Sequence, residues 1–229
     1  LIRSAHVIIY AGSLINRELL KDTRAELFDS SKLDLDEIVG IMVRATGEGK
    51  TVVRLHSGDP SIYGAIGEQM ERLREEGIPY EVVPGVSSVF AGAARIGIEL
   101  TVPELTQTVI LTRAKGRTPV PDRESLSSLS SHGATMVIFL SAGLRNEVQE
   151  ELLTYYSPDT PVAVVQRATW PDERIFFCNL EELSKTIEEA HIEKTALIYV
   201  GKAVAGRDLY LRKTSRLYNK EFEHGYRKK

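Results

Sequence analysis

The chain has 229 residues, of which 42% are hydrophobic and 27% charged, with a formal net charge of −3. That length holds one large domain or two modest ones, each with its own core, and the balance excludes an extensively disordered protein. The slightly acidic charge argues against a generic nucleic-acid binder, and the lone cysteine, Cys178, excludes an intramolecular disulfide or a multi-cysteine metal site.

From the N-terminus, strand-like apolar runs alternate with helical stretches. "HVIIYAG" (6–12) reads as a strand, 34–48 as an amphipathic helix and "TVVRLHSGD" (51–59) as a second strand. In "AIGEQMERLREEG" (65–77), Ile66, Met70 and Leu73 share a helical face and Gly77 is placed to end the helix. "YEVVPG" (80–85) reads as a third strand. "GIELTVPELT" (97–106), interrupted by Pro103, separates this series from a second one at 106–113, 135–142, 161–169, 174–180 and 195–204. Val- and Ile-rich runs without clean alternation suit strands buried on both faces. Strands interleaved with helices predict an α/β fold with a largely parallel sheet. The expected organisation is an N-terminal α/β domain over 1–105, a C-terminal α/β domain over 106–206 and a polar, basic tail over 207–229.

No apolar run reaches the roughly 20 residues needed to span a bilayer, and no secretory signal is visible. With one cysteine, the chain is expected to work in a reducing compartment, the cytoplasm.

Three glycine-containing loops follow predicted strands: "HSGDPSIYG" (56–64), "VPGVSS" (83–88) and "SAGL" (141–144). Open α/β sheets bind ligands at the carboxyl ends of their strands, and glycine lets backbone groups approach a ligand closely. Each loop alone reads more readily as turn chemistry, and their joint occurrence points to a ligand. Asp59 reads either as an N-cap or Asx-turn former or as a ligand hydrogen-bonder, with Pro60 in the first turn of a helix beginning near Ser61. There is no complete dinucleotide fingerprint and no P-loop. None of His6, His56, His132, His191 and His224 has metal-ligand spacing to another His or Cys, so no metal is expected. His56, just before the first loop, reads as structural or as facing a ligand.

The strings "VVRLHSGDPSIYGAIGEQM", "VPGVSSVFAGAA", "LTVPELTQTVILTRAKGRTPVP" and "VAVVQRATWPDERI" resemble the tetrapyrrole methylase family over about residues 1–205. "LTQTVILTRAKGRTPVP" and "ATWPDE" are similar to the branch that methylates C-11 of precorrin-4 or its cobalt form in cobalamin biosynthesis. The family opens with a strand and a glycine-rich loop. This sequence starts with what looks like the next segment, "LIRSAHVIIYAGSLI", so that strand is expected to be absent from it.

The resemblance implies two unlike α/β domains around a central cleft, paired into a homodimer, with S-adenosylmethionine between the domains. It implies that Ser57, Gly58, Asp59 and Ile62 meet the methionine part of that cofactor and Ser87 and Ser88 its polar groups. Leu140 would lie beside the adenine or ribose, and Ala168, through its backbone, at the adenine edge. An anionic tetrapyrrole substrate would draw on Arg113, Lys115 and Arg117, which alternation in an extended loop would point the same way. Tyr63 and Trp170 either face the macrocycle or pack. The sulfonium methyl is already activated, so no catalytic triad is expected. The alternatives are a sister enzyme acting on another ring carbon, a methylase of ribosomal RNA or protein histidine with the same fold, and a non-catalytic cofactor binder. Neither a nucleic acid nor a membrane is an expected partner.

Overall fold

The computed structural model describes residues 1–206, which fall into two compact units, Leu1–Ser88 and Val89 onward. The tail read at 207–229 lies outside the described residues.

In the first unit, β1 (Val7–Tyr10), β2 (Glu26–Asp29) and β3 (Val52–Leu55) form a parallel sheet in the order β2-β1-β3. Val7 registers with Glu26 on one side and Val52 on the other. β1 is buried on both faces, which is why it reads as an unbroken apolar run. Val7 and Ile9 pack with Ile38, Ile41 and Met42 of α1 (Leu35–Gly47) and Leu73 of α2 (Ile66–Glu75), while Ile8 and Tyr10 pack with Ile15 and Leu20 beneath short turns. α1 starts in a capping box in which the Asp34 carboxylate accepts the Glu37 amide and Glu37 accepts the Asp34 amide. Gly77, at φ +67°, ends the helical run as expected: its amide donates to Arg74 and that of Ile78 to Leu73.

On α2 Gln69 is buried as well as Leu73, its amide oxygen receiving the guanidinium of Arg54 from β3 at 3.1 Å and its amide nitrogen donating to the Ala65 carbonyl at 2.9 Å. One expectation fails here. The segment 80–85 joins no ladder, and Tyr80, Val82 and Val83 are exposed. Apolar content alone makes no strand without backbone partners.

The second unit has a five-stranded sheet, β4 (Val109–Arg113), β5 (Thr135–Phe139), β6 (Pro161–Gln166), β7 (Arg174–Asn179) and β8 (Ala196–Val200), ordered β4-β5-β8-β6-β7. Only β4 and β5 pair in parallel; β8 runs antiparallel to β5 and β6, and β7 antiparallel to β6. The sheet is therefore mixed rather than largely parallel. β6 and β7 form a hairpin, which needs no helical crossover. α4 (Leu126–Ser130), α5 (Arg145–Leu152) and α6 (Leu183–Glu189) cover one face around Ile138, Val164 and Ile198. α3 (Ser88–Ile96) and the segment after it cover the other through Val89, Ala93 and Leu100 against Tyr199 and Val137.

The two units divide between Ser88 and Val89, earlier than the boundary expected at 105. The residues around Pro103 are not a linker: Leu100 and Val102 are buried, and the Thr135 hydroxyl donates to the Leu100 carbonyl at 2.8 Å. Among the described residues, no helix is long and apolar enough to cross a membrane.

Candidate functional site

In the first unit, two of the glycine loops meet backbone to backbone. Asp59 accepts the Ser61 amide at 2.9 Å and the Ser61 hydroxyl on Oδ1, and the Gly85 amide at 3.0 Å on Oδ2. The Ser61 hydroxyl first, then the Gly85 and Ser61 amides, hold its carboxyl below the ordinary value. Asp59 is thus an Asx-turn former that also ties 57–59 to 83–88. It caps no helix: α2 begins only at Ile66, after Ala65 in a left-handed conformation, so the helix start expected near Ser61 is displaced.

The approach depends on glycine. A Cβ on Gly85 would strike the Gly58 carbonyl oxygen, and Gly58 sits at φ +67° against the backbone of Ser87 and Ser88. Ser57 and Gly58 are exposed, Ile62 is half-buried and Ser87 is buried at the start of α3. Tyr63 projects with 46% exposure from a backbone at φ +55°.

His56, at the end of β3, has Nε2 buried and without a hydrogen-bond partner among the described residues. Burial, with the nearby Arg54 charge, holds its pKa down to about 4, so the imidazole is neutral near pH 7.

In the second unit, β4, β5 and β6 end on one edge of the sheet. Arg113 registers with Phe139, and Gln166 pairs with Ala196 at the start of β8, the strand that lies between β5 and β6. The residues just beyond turn sharply: Leu140, Arg167 and Thr169 have φ of +53°, +50° and +69°. Such residues cannot continue a strand, which is why the expected runs 135–142 and 161–169 overshoot. Leu140 is 66% exposed, and Ala168 packs in part against the core beneath. Ser141, fully buried, locks this edge: its hydroxyl accepts the Ala114 amide at 2.8 Å and donates to the Phe139 carbonyl at 2.6 Å.

The basic residues do not point alike. Arg113 folds back and donates to the Ala114, Thr118 and Pro119 carbonyls at 3.3, 3.2 and 2.8 Å, bracing its own loop. Lys115 and Arg117 are exposed. Past β4 the chain leaves the ladder and Arg113 bonds back to the carbonyls of 118 and 119, so strand alternation does not govern these three side chains. Trp170 lies in the β6–β7 hairpin, half-buried, with the Arg167 guanidinium 5.6 Å from its ring centroid.

Gly85 and Ser141 stand in two of the glycine loops, but the sequence does not single them out. Nothing local distinguishes them, since their partners are 26 and 27 residues away. Among the described residues, no group of three or more His, Cys, Asp or Glu side chains could hold a metal ion. Two apolar grooves, of about 300 and 570 Å³, lie on the α3 face of the second sheet, bordered by Phe177 and Phe90 respectively, and none of the candidate residues lines them.

The family model of Tetrapyrrole (Corrin/Porphyrin) Methylases matches residues 1–184. The chain is 48% identical over 230 residues to a cobalt-precorrin-4 C(11)-methyltransferase of Methanocaldococcus jannaschii, covering 99% of this chain and 88% of that one. It is 46% identical over 228 residues to a precorrin-4 C(11)-methyltransferase of Pseudomonas aeruginosa, covering 99% and 90%. Its fold is similar to the X-ray structure of a cobalamin biosynthetic enzyme, cobalt precorrin-4 methyltransferase, with a TM-score of 0.86 and 47% identity over 89% of this chain and 86% of that one. It is similar also to uroporphyrin-III C-methyl transferase from Thermus thermophilus complexed with S-adenyl homocysteine, with a TM-score of 0.74 and 29% identity over 90% and 89%. From the paired glycine loops to the near full-length identity, these findings agree that the chain belongs to the tetrapyrrole (corrin/porphyrin) methylases.

Proposed function

We propose that this chain is a methyltransferase that moves a methyl group from S-adenosylmethionine to C-11 of precorrin-4 or its cobalt form, in cobalamin biosynthesis. The position on the ring follows the relatives that bear that activity in their names at 46–48% identity. One structural observation supports the cofactor assignment: the loops 57–59 and 83–88 approach so closely that a Cβ at Gly85 would hit the Gly58 carbonyl. Such a cradle of main-chain groups suits a ligand gripped through amides and carbonyls.

In this reading Ser57, Gly58, Asp59, Ile62, Ser87 and Ser88 hold the methionine portion, and Leu140 and the Ala168 main chain receive the adenosine. Asp59 acts on the cofactor by fixing two loops as well as through any lone pair left over from Ser61 and Gly85. Bound S-adenosylmethionine supplies an already electrophilic methyl group. The chain's task is to align that methyl with the attacking ring carbon, and alignment of this kind is worth up to ~7–11 kcal/mol of barrier. Lys115 and Arg117 pair with the substrate carboxylates, Arg113 shapes the loop that presents them, and Tyr63 faces the macrocycle. A homodimer in the cytoplasm completes the proposal. Exposed Phe90 and Phe177 beside the apolar grooves support a second copy there, and light scattering after gel filtration measures it.

The direct test incubates the protein with S-adenosylmethionine and precorrin-4. The expected product gains one methyl group by mass spectrometry, and isotope-edited NMR finds the new carbon on C-11. A methyl on another ring carbon replaces this reading with that of a sister enzyme.

A further inference from the structure

The β6–β7 hairpin loop, 167–173, carries an arrangement that the proposed activity does not by itself require. Ala168 stands between two left-handed residues, Arg167 and Thr169. Left-handed backbone is uncommon outside glycine and least natural for a β-branched residue such as Thr169. A turn of this kind persists only where its surroundings over-determine it, and such turns cluster at ligand-binding sites.

The surroundings are specific. The Thr169 amide donates to Glu173 Oε2 at 2.6 Å. Arg95, reaching from α3, donates through Nε to both oxygens of the same carboxylate, at 2.7 and 3.0 Å. The Glu173 side chain is only 10% exposed although its partner Arg95 is 55% exposed. On the other side, the Arg167 amide is tied to the Thr195 carbonyl at 2.9 Å. Glu173 also donates its own amide to Trp170, closing the turn. One carboxylate thus joins the helix to the turn and sets the direction of the peptide groups around Ala168.

We infer that Glu173, braced by Arg95, is a positioning residue that orients the main chain of Ala168 so that it reads the edge of the adenine ring. This rests on the reading that Ala168 meets the adenine. The chemistry follows: backbone amide and carbonyl groups at Ala168 complement a purine carrying an exocyclic amine, and they do so only while the turn holds its shape. A purine with an oxygen in that place reverses the hydrogen-bond polarity and is disfavoured.

The test compares binding of S-adenosylhomocysteine and its 6-deaminated analogue, S-inosylhomocysteine, by calorimetry on the full chain, alongside the melting temperature. The wild-type protein is expected to prefer the adenine form. Glu173→Ala is expected to weaken S-adenosylhomocysteine by about tenfold, the scale of one charge-assisted hydrogen bond, and to erase most of the preference while leaving the inosine analogue little changed. Glu173→Gln keeps an oxygen for the Thr169 amide and is expected to restore the preference. If Glu173→Ala does not fold, Arg95→Gln, at an exposed side chain, carries the same comparison and is expected to reduce the preference in part. A lowered melting temperature with the preference intact overturns the inference, as does a Glu173→Gln variant no better than Glu173→Ala. Equal binding of the two ligands by wild-type protein removes Ala168 from the adenine edge, a different failure that takes this inference with it.

Discussion

The first unit holds its strand-end loops from outside, and the second from within. After β3, the turn is shaped by Asp59, a carboxylate at the surface whose partners Ser61 and Gly85 are exposed, and by glycines whose missing side chains let two backbones touch. After β5 and β6, left-handed Leu140, Arg167 and Thr169 stand without glycine, because fully buried Ser141 and nearly buried Glu173 fix them from the core side. The strands that lead into these loops differ in the same way: every residue of β3, an edge strand, is only half-buried, whereas β5 and β6 are almost wholly buried. Where packing is thin, the closest backbone approach falls to glycine, although exposed Tyr63 and Ala65 also turn left-handed there. Where packing is dense, buried polar groups hold the turns.

Ile198→Ala tests that contrast most severely. Ile198 is 0% exposed on β8, and its truncation is expected to cost ~2–5 kcal/mol in denaturant unfolding. Val53→Ala in half-buried β3 is expected to cost no more than about 1 kcal/mol. Equal losses would erase the distinction between the units.

Gly85→Ala comes next. Its methyl group strikes the Gly58 carbonyl, so the loops must part. We expect cofactor affinity to fall by about tenfold or more in calorimetry, from ~1–3 kcal/mol of local strain, with little change in melting temperature. Affinity equal to wild type would mean that the close approach has no role in binding.

Asp59→Ala removes the acceptors for Ser61 and Gly85 but forces no clash, so a smaller loss of about three- to tenfold in cofactor affinity is expected. A larger loss than that of Gly85→Ala would assign Asp59 a direct bond to the ligand.

A separate effect is one of pH. His56 ordinarily titrates near 6.5 and is held down to about 4 when folded, so the unfolded chain takes up a proton first. Its contribution is therefore fully present above about pH 6.5 and is lost as pH falls toward 4. The melting temperature of His56→Asn is expected to fall less between pH 7 and 5 than that of the wild type. Parallel falls would take His56 out of the acid response.

Much of this was legible in the residues. The unbroken apolar run of β1, the capped helix α1 and the stop at Gly77 follow from periodicity and from local hydrogen-bond chemistry, which act over a few residues. "SGDPSIYG" and "VPGVSS" marked the loops that meet, and the resemblance they carry pointed to the family. What could not be read was partnership at a distance. "YEVVPG" has the composition of a strand but no ladder partner, and the buried oxygen of Gln69 meets Arg54, 15 residues earlier. The residues near Pro103 separate two strand series in the sequence, yet Thr135 closes on Leu100. Likewise, nothing in "TRAKGRTP" reveals that Arg113 turns back onto Thr118 and Pro119.

Residue order alone thus marked most of the strands, helices α1 and α2, the glycine loops and the family, because propensity, capping and side-chain periodicity are properties of neighbours along the chain. Only the tertiary structure decided the antiparallel course of β8, the division after Ser88, the tie from Asp59 to Gly85 and that from Arg95 to Glu173. Each of these joins groups far apart in sequence, where closing the loop costs entropy that only the assembled core and its hydrogen bonds offset.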